Sequence, residues 1–266
     1  MLSSPRPVWT AWQDLEEEWA SQGRLLLLLD FDGTLSPLEE LPRRARLPET
    51  TRMLVRRLGD RSGVRVAVIS GRAVSDIRVR VGLRKVYYSG NHGLEIEGPG
   101  LSFRHPEAEA LEGAMRKLAR ALRADFRRLR GVVIENKGMT LSLHYRNLAP
   151  SRLDELKSLM GAWHRRTEGR PIRWRGGHKV WELVPEAGWD KGRAALRILR
   201  HLRDPYPVAL GDDRTDEDMF LALRDRGTTI RIGRPGATVA RFRLASQRET
   251  DRFLDRLDAA LAGRGR

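Results

Sequence analysis

Trp9, Trp12, Leu15 and Trp19 recur at spacings of three and four, the apolar face of an amphipathic helix over residues 8–21. That face is expected to pack on a domain surface. The pattern then becomes an unbroken apolar run, "RLLLLLD" at 24–30, which reads as a strand covered on both faces, as at the centre of a parallel sheet. Helical spacing returns in "PETTRMLVRRLGDR" (48–61) and in the valine-rich "RAVSDIRVRVG" (72–82). Short apolar runs, "GVRVAVIS" (63–70) and "KVYYSG" (85–90), follow each as strands. Strand alternating with helix implies right-handed crossovers and a doubly wound, Rossmann-like α/β domain with a parallel central sheet.

Near residue 94 the rhythm changes. "LEIEGPGLSF" (94–103) predicts a hairpin with a Pro-Gly turn, and "PEAEALEGAMRKLARALRADFRRL" (106–129) predicts one long amphipathic helix. Strands are expected in "GVVIENK" (131–137) and "MTLSLHYR" (139–146). The second sets Leu141, Leu143 and Tyr145 on one face against Ser142, His144 and Arg146 on the other. A helix at 151–167 and strands "PIRWR" (171–175) and "KVWELVP" (179–185) complete an α+β unit with an antiparallel sheet, expected over 97–186. Doubly wound texture resumes with helix "DKGRAALRILRHL", strand "PVALG", helix "TDEDMFLALRDR", strand "TTIRIG" and a last helix at 248–262. The smaller unit is therefore expected to be inserted into a discontinuous larger one, 1–96 with 187–266.

Composition narrows the class. The 266-residue chain has no cysteine, so disulfides and thiolate metal sites are excluded. No apolar run approaches the roughly 20 residues of a membrane span, and the start lacks the basic and apolar regions of a secretory signal. A cytoplasmic, membrane-free protein is expected. The formal charge of +15 invites a nucleic-acid reading, yet all but six of the 50 basic residues are arginines spread along the chain. No nucleic-acid partner is expected, whereas attraction of anionic small substrates fits the charge.

Candidate chemistry falls at the strand ends, where open parallel sheets bind ligands. Asp30 and Asp32 are two residues apart and would point the same way from extended backbone. Gly33 permits a sharp turn, and Thr34 offers a hydroxyl. Ser70, Lys191 at a helix start, and Asp212, Asp213 and Asp216 of "GDDRTDED" converge on the same edge. So many carboxylates raise one another's pKa unless a cation intervenes, and oxygen-only ligands favour Mg²⁺. With Lys191 and Ser70 they suit a phosphoryl group, and a carboxylate can itself be the nucleophile.

The motifs "DFDGTL", "SGR", "DKG" and "GDDRTDED" resemble, in order, those of haloacid dehalogenase-like phosphohydrolases. By that resemblance Asp30 is the nucleophile, Asp32 the general acid/base, and Ser70 and Lys191 bind the phosphoryl group. The metal set would be Asp30, the backbone carbonyl of Asp32, and Asp212, with Thr34, Asp213 and Asp216 auxiliary. The smaller unit would be a mobile cap that excludes water and selects substrate. "GNHGLE" (90–95), "ENKGMTLSLHYR" (135–146) and "KVWELVP" further resemble segments of trehalose-6-phosphate phosphatases. This makes Gly71, Arg72, Asn91, His92, Glu95, Glu135, Lys137, Arg146, Lys179 and Glu182 candidate substrate contacts. The implied reaction is Mg²⁺-dependent hydrolysis of trehalose 6-phosphate through an aspartyl phosphate, by a monomer supplied by a separate synthase. Hydrolysis of another sugar phosphate is the main alternative; a phosphomutase and a basic nucleic-acid-binding scaffold are more distant ones. Glu135 with Lys137 would equally suit a surface ion pair, and Trp174 and Trp181 suit either core packing or a sugar face.

Overall fold

A computed structural model describes residues 5–39, 41–177 and 179–262. The chain runs through β1 (Arg6–Pro7), α1 (Trp12–Ser21), β2 (Leu25–Asp30), α2 (Glu49–Asp60), β3 (Val64–Ile69), α3 (Val74–Val81), β4 (Val86–Gly90), β5 (Glu95–Gly98) and β6 (Leu101–Arg104). Then come α4 (Pro106–Ala110), α5 (Glu112–Phe126), β7 (Val133–Asn136), β8 (Leu141–His144), α6 (Leu153–Thr167), β9 (Ile172–Gly177) and β10 (Val180–Pro185). The last elements are α7 (Lys191–His201), β11 (Tyr206–Gly211), α8 (Asp216–Leu223), β12 (Thr228–Ile232), β13 (Phe242–Leu244) and α9 (Glu249–Ala262). Two compact units result, Met1–Phe103 with Asp190–Arg266, and Arg104–Trp189.

The larger unit holds a nine-stranded sheet in the order β1-β13-β12-β11-β2-β3-β4-β5-β6. Pairing is parallel from β1 to β4 and turns antiparallel at β5. Strand order reverses between β2 and β11, which opens a crevice at their carboxyl ends. The leucines of β2 explain its central place. Leu25, Leu27 and Leu29 enter the core under α1, α2, α3 and α9, while Leu26 and Leu28 enter the one under α7 and α8. The hairpin at 94–103 extends this large sheet rather than belonging to the smaller unit, because β5 pairs with β4 from Tyr88↔Glu97 to Gly90↔Glu95.

The smaller unit is a four-stranded antiparallel sheet, β7-β8-β10-β9, with α5 and α6 on one face. The helix expected over 106–129 is broken at Leu111, whose amide bonds back only three residues to Ala108 (3.2 Å). Leu141, Leu143, Leu183 and Ile172 face the helices. Trp174 and Trp181 pack against that same core, Trp181 stacked on Tyr145 at 4.6 Å between ring centroids. Among the described residues no helix is long and apolar enough to cross a membrane.

The N-terminal tryptophans lock α1 to α9. Trp19 is fully buried and meets Trp12 and Phe253 edge-on at 5.6 and 5.8 Å; its indole N–H donates to Thr228 Oγ1 at 3.0 Å. Trp19→Ala is expected to cost about 3–5 kcal/mol through the cavity it leaves. Trp19→Phe keeps a ring but removes the donor to Thr228 Oγ1, which retains Tyr206 Oη at 3.1 Å, so the cost is that of one net hydrogen bond, about 0.5–1.5 kcal/mol. Urea unfolding followed by tryptophan fluorescence checks both; a Trp19→Phe midpoint equal to that of the unsubstituted chain would contradict the assigned hydrogen bond.

Candidate active site

β2 ends at Asp30, and the chain turns at once. The amides of Leu35 and Ser36 both bond to the Phe31 carbonyl, and the Gly33 amide bonds to Ser36. Gly33 takes φ +85°, and a Cβ there would lie 2.2 Å from Asp212 Oδ2, so only glycine lets this turn and the β11 loop approach. Asp32, past the end of β2, forms an isolated bridge with Ser36, and the two aspartates of the motif are held by different partners.

Asp30 joins a buried charge cluster. Lys191, the first residue of α7, donates from Nζ to Asp30 Oδ1 and to Asp216 Oδ1, both at 2.8 Å. The other oxygen of Asp216 accepts from the amides of Asp212 (3.0 Å) and Asp213 (2.9 Å), which fixes the loop after β11. Asp30, Asp212 and Asp216 each bring a carboxylate oxygen within 4.8 Å of the others'. Burial and the neighbouring carboxylates push Asp212 up to about 7 against the pull of Lys191. Burial likewise raises Asp30 well above the ordinary carboxylate range; Lys191 opposes the shift, and Asp216 and Asp212 add to it. Lys191 is disfavoured by burial, but Asp216 and Asp30 outweigh that and hold its ammonium charged.

Three carboxylates facing one ammonium leave a net negative charge in a desolvated place, which is costly without a further cation. Two oxygens mark where one fits. Asp30 Oδ2 and Asp212 Oδ1 are buried and accept no hydrogen bond, although their sister oxygens or neighbours are engaged. The Thr34 hydroxyl, buried in the adjoining turn, is likewise without a partner. All-oxygen donors of this kind suit a hard divalent ion.

The second edge of the site is a zipper between residues 70–72 and 91–95. The His92 amide donates to the Ser70 carbonyl (3.1 Å) and the Asn91 amide to the Arg72 carbonyl (2.7 Å). Asn91, His92 and Gly93 all take positive φ, at 49°, 58° and 102°. Glu95 Oε1 stabilises this turn by accepting from Asn91 Nδ2 (2.7 Å) and from the Val74 amide at the start of α3 (2.8 Å). A Cβ on Gly71 would fall 2.6 Å from the His92 ring, so the glycine admits the imidazole. Ser70 Oγ accepts from the Arg72 amide at 3.2 Å, so its own proton is the group's only donor.

Arg72 holds Asp32. Its Nε and Nη2 each lie 2.7 Å from one of the two carboxylate oxygens, a bidentate pair, and its Nη1 donates to Asp76 Oδ2 at 3.0 Å. Asp76, on α3, is a participant that the motif pattern does not pick out; its one sequence signal is a position four residues after Arg72. Asp213 offers its backbone amide, and its carboxylate turns to the Arg214 amide (2.5 Å).

In the smaller unit the expected residues gather on the sheet face opposite the helices. Glu135, Ser142, Glu182 and Arg175 are cross-strand neighbours spanning all four strands. Glu182 Oε1 accepts from Lys137 Nζ (2.8 Å) and Ser142 Oγ (3.0 Å), while Glu135 Oε2 meets His144 Nε2 at 3.0 Å. β8 stops at His144, so Arg146 lies in the following turn and not on the strand face. Lys179 is exposed in a left-handed turn (φ 56°), its carbonyl bonded to the Tyr145 amide.

Comparison with known proteins agrees with this geometry. The trehalose-phosphatase family model matches residues 28–252. A trehalose-phosphate phosphatase of Mycobacterium tuberculosis is 35% identical over 241 residues, covering 87% of this chain and 60% of that protein. A trehalose 6-phosphate phosphatase of Zea mays is 31% identical over 264 residues, covering 90% and 71%. The chain thus spans about 60% of the length of its mycobacterial relatives. Among solved structures, the C-terminal domain of the C. albicans trehalose-6-phosphate phosphatase superimposes with a TM-score of 0.80 over 97% of this chain and 99% of that one, at 21% identity. Matched from the leucines of β2 to the start of α9, with its acidic cluster on the expected strand ends, the chain belongs to the trehalose-phosphatase family.

Proposed function

We propose that this chain is a phosphatase hydrolysing trehalose 6-phosphate to trehalose and orthophosphate. The observation that carries the reading is the buried Lys191–Asp30–Asp216 cluster with Asp212 beside it, where two carboxylate oxygens lack partners. Asp30, Asp212 and the Asp32 backbone carbonyl would hold Mg²⁺, which when bound offsets the charge of carboxylates and phosphoryl oxygens.

The chain's own residues divide the displacement into two. Lys191 favours the ionised form of Asp30 and orients it, and an Asp30 oxygen forms a bond to phosphorus as the bond from phosphorus to the sugar oxygen breaks. Asp32 gives its proton to that leaving oxygen. In the second step Asp32 takes a proton from water, the water oxygen bonds to phosphorus, and the acyl–phosphate bond breaks to regenerate Asp30. Ser70 donates its hydroxyl proton to the transferring oxygens, and Lys191 opposes the charge that develops on them. Choice of sugar is assigned to the smaller unit, where Glu135 and Glu182 accept from vicinal hydroxyls and Lys137 donates. A site built from such polar groups rejects substrates that leave them unpaired. Substrate would come from a synthase on a separate protein.

With Mg²⁺ and a panel of sugar phosphates, orthophosphate release is expected to be fastest from trehalose 6-phosphate. Asp30→Asn is expected to abolish release, and EDTA to stop it until Mg²⁺ is restored. Turnover without orthophosphate, with the phosphoryl group returned to a sugar hydroxyl, would instead mark a mutase. Glu135→Ala and Glu182→Ala are each expected to lower the preference for trehalose 6-phosphate over glucose 6-phosphate by about 10-fold or more, the scale of one unpaired polar contact. Unaltered preference in both would remove the smaller unit from sugar recognition and leave the chemistry standing.

A further inference from the structure

We propose that Asp76 is a positioning residue for the reaction: acting through Arg72, it fixes the carboxyl plane of Asp32. The inference rests on Asp32 serving as the general acid/base, as assigned above. Arg72 is a poor candidate for a phosphate contact, because both of its edges are occupied. One edge makes the fork to Asp32 at 2.7 Å on each arm, and Nη1 on the other donates to Asp76 Oδ2 at 3.0 Å. Its carbon centre also lies 5.6 Å from the Phe31 ring, and Arg72 is 7% exposed.

Each contact leaves a different freedom. The aromatic face constrains the height of the guanidinium but not its rotation, since a cation–π contact is tolerant of in-plane angle. The fork ties the guanidinium plane to the Asp32 carboxyl plane, so the two can swing together. The bond from Nη1 to Asp76 anchors that pair to a helix. Asp76 is itself anchored: Arg80, one turn further along α3, donates from Nε to the same Oδ2 at 2.8 Å. Burial disfavours the Asp76 carboxylate, but the hydrogen bonds from Arg80 and Arg72 more than compensate and keep it ionised below its ordinary range. A solvated i,i+4 pair on a helix surface is the common alternative for an Asp between two arginines. Here Arg72 precedes the helix and is buried, and Arg80's side chain is only 10% exposed.

The chemistry supplies a readout that general weakening would not give. Asp32 delivers a proton to the sugar oxygen in the first step and removes one from water in the second. p-Nitrophenolate leaves without protonation, so with its ester the first step no longer needs Asp32 while the second still does. In Asp76→Ala, kcat for trehalose 6-phosphate is expected to fall about 10-fold, a part of the 10²–10⁴ that a general acid/base supplies, with KM within about twofold. With p-nitrophenyl phosphate, rapid mixing is expected to give a burst near one equivalent of p-nitrophenolate followed by slowed turnover. Asp76→Asn, which keeps an acceptor for Arg72, is expected to recover most of kcat; Asp76→Ser, too short to reach Nη1, is expected to fall like the alanine variant and serves in its place if that one fails to fold. Unchanged kcat in the alanine variant or its serine substitute, a loss carried by KM, or a burst lost in proportion to kcat would overturn the proposal. Asp32→Asn run beside them separates the two levels. If it shows the burst and the slow phase while the Asp76 variants behave as wild type, the positioning role fails and the acid/base reading survives. Should Asp32→Asn turn over normally, both fall.

Discussion

Gathering carboxylates around a single buried ammonium is the constraint from which the rest of the larger unit follows. Lys191 is held at 2.8 Å from both Asp30 and Asp216, and Asp216 spends its second oxygen on two loop amides. Such a cluster tolerates no side chain that keeps its members apart. A Cβ at Gly211 would lie 2.3 Å from Asp216 Cγ, one at Gly192 would meet the Asp218 carbonyl at 2.4 Å, and one at Gly33 would strike Asp212. Gly33 and Gly211 thus admit the carboxylates themselves, while Gly192 lets α7 approach the backbone of α8. The sheet meets the same demand, since reversal of strand order between β2 and β11 lets residues 30 and 212 share a crevice.

The fold was legible where local pattern and burial coincide. The five leucines of β2 announce a strand with two cores because each core takes alternate residues. Less legible were elements whose existence depends on a distant partner. β13 is three residues long and β1 two, with a proline; each is a strand only because a parallel neighbour lies beside it. The hairpin at 94–103 shows the same limit: alternation and a Pro-Gly turn predict two strands, but not which sheet they extend. The interruption at Leu111 is equally silent, since the apolar spacing continues across it.

The candidate site divides in a similar way. Residues carried by a motif at a strand end were found from their type and place. Their pairings were not, because Lys137 meets Glu182 across 45 positions and Arg72 meets Asp32 across 40. Proximity in sequence misleads at this scale: Glu135 and Lys137 look like a local ion pair, yet each also bonds to another strand of the sheet. The spacing of Asp30 and Asp32 places both at the end of β2, and the cation that each one meets comes from a distant segment. Asp30 meets Lys191 and Asp32 meets Arg72, so the two carboxylates of one motif are each held by a different cation.

The left-handed turn at Asn91–Gly93 carries this reasoning one step further. Non-glycine residues in that region cost on the order of 1–3 kcal/mol each and persist only where their surroundings over-determine them. Here they are over-determined by Glu95, which binds both the Asn91 amide group and the first amide of α3, and by amide bonds to the Ser70 and Arg72 carbonyls. The strained turn, Ser70 and the arginine paired with Asp32 are therefore one hydrogen-bonded body. Glu95 Oε1 is the acceptor that ties the turn to the first amide of α3. The carboxylate thereby braces the turn that is hydrogen-bonded to the backbone of Ser70 and Arg72.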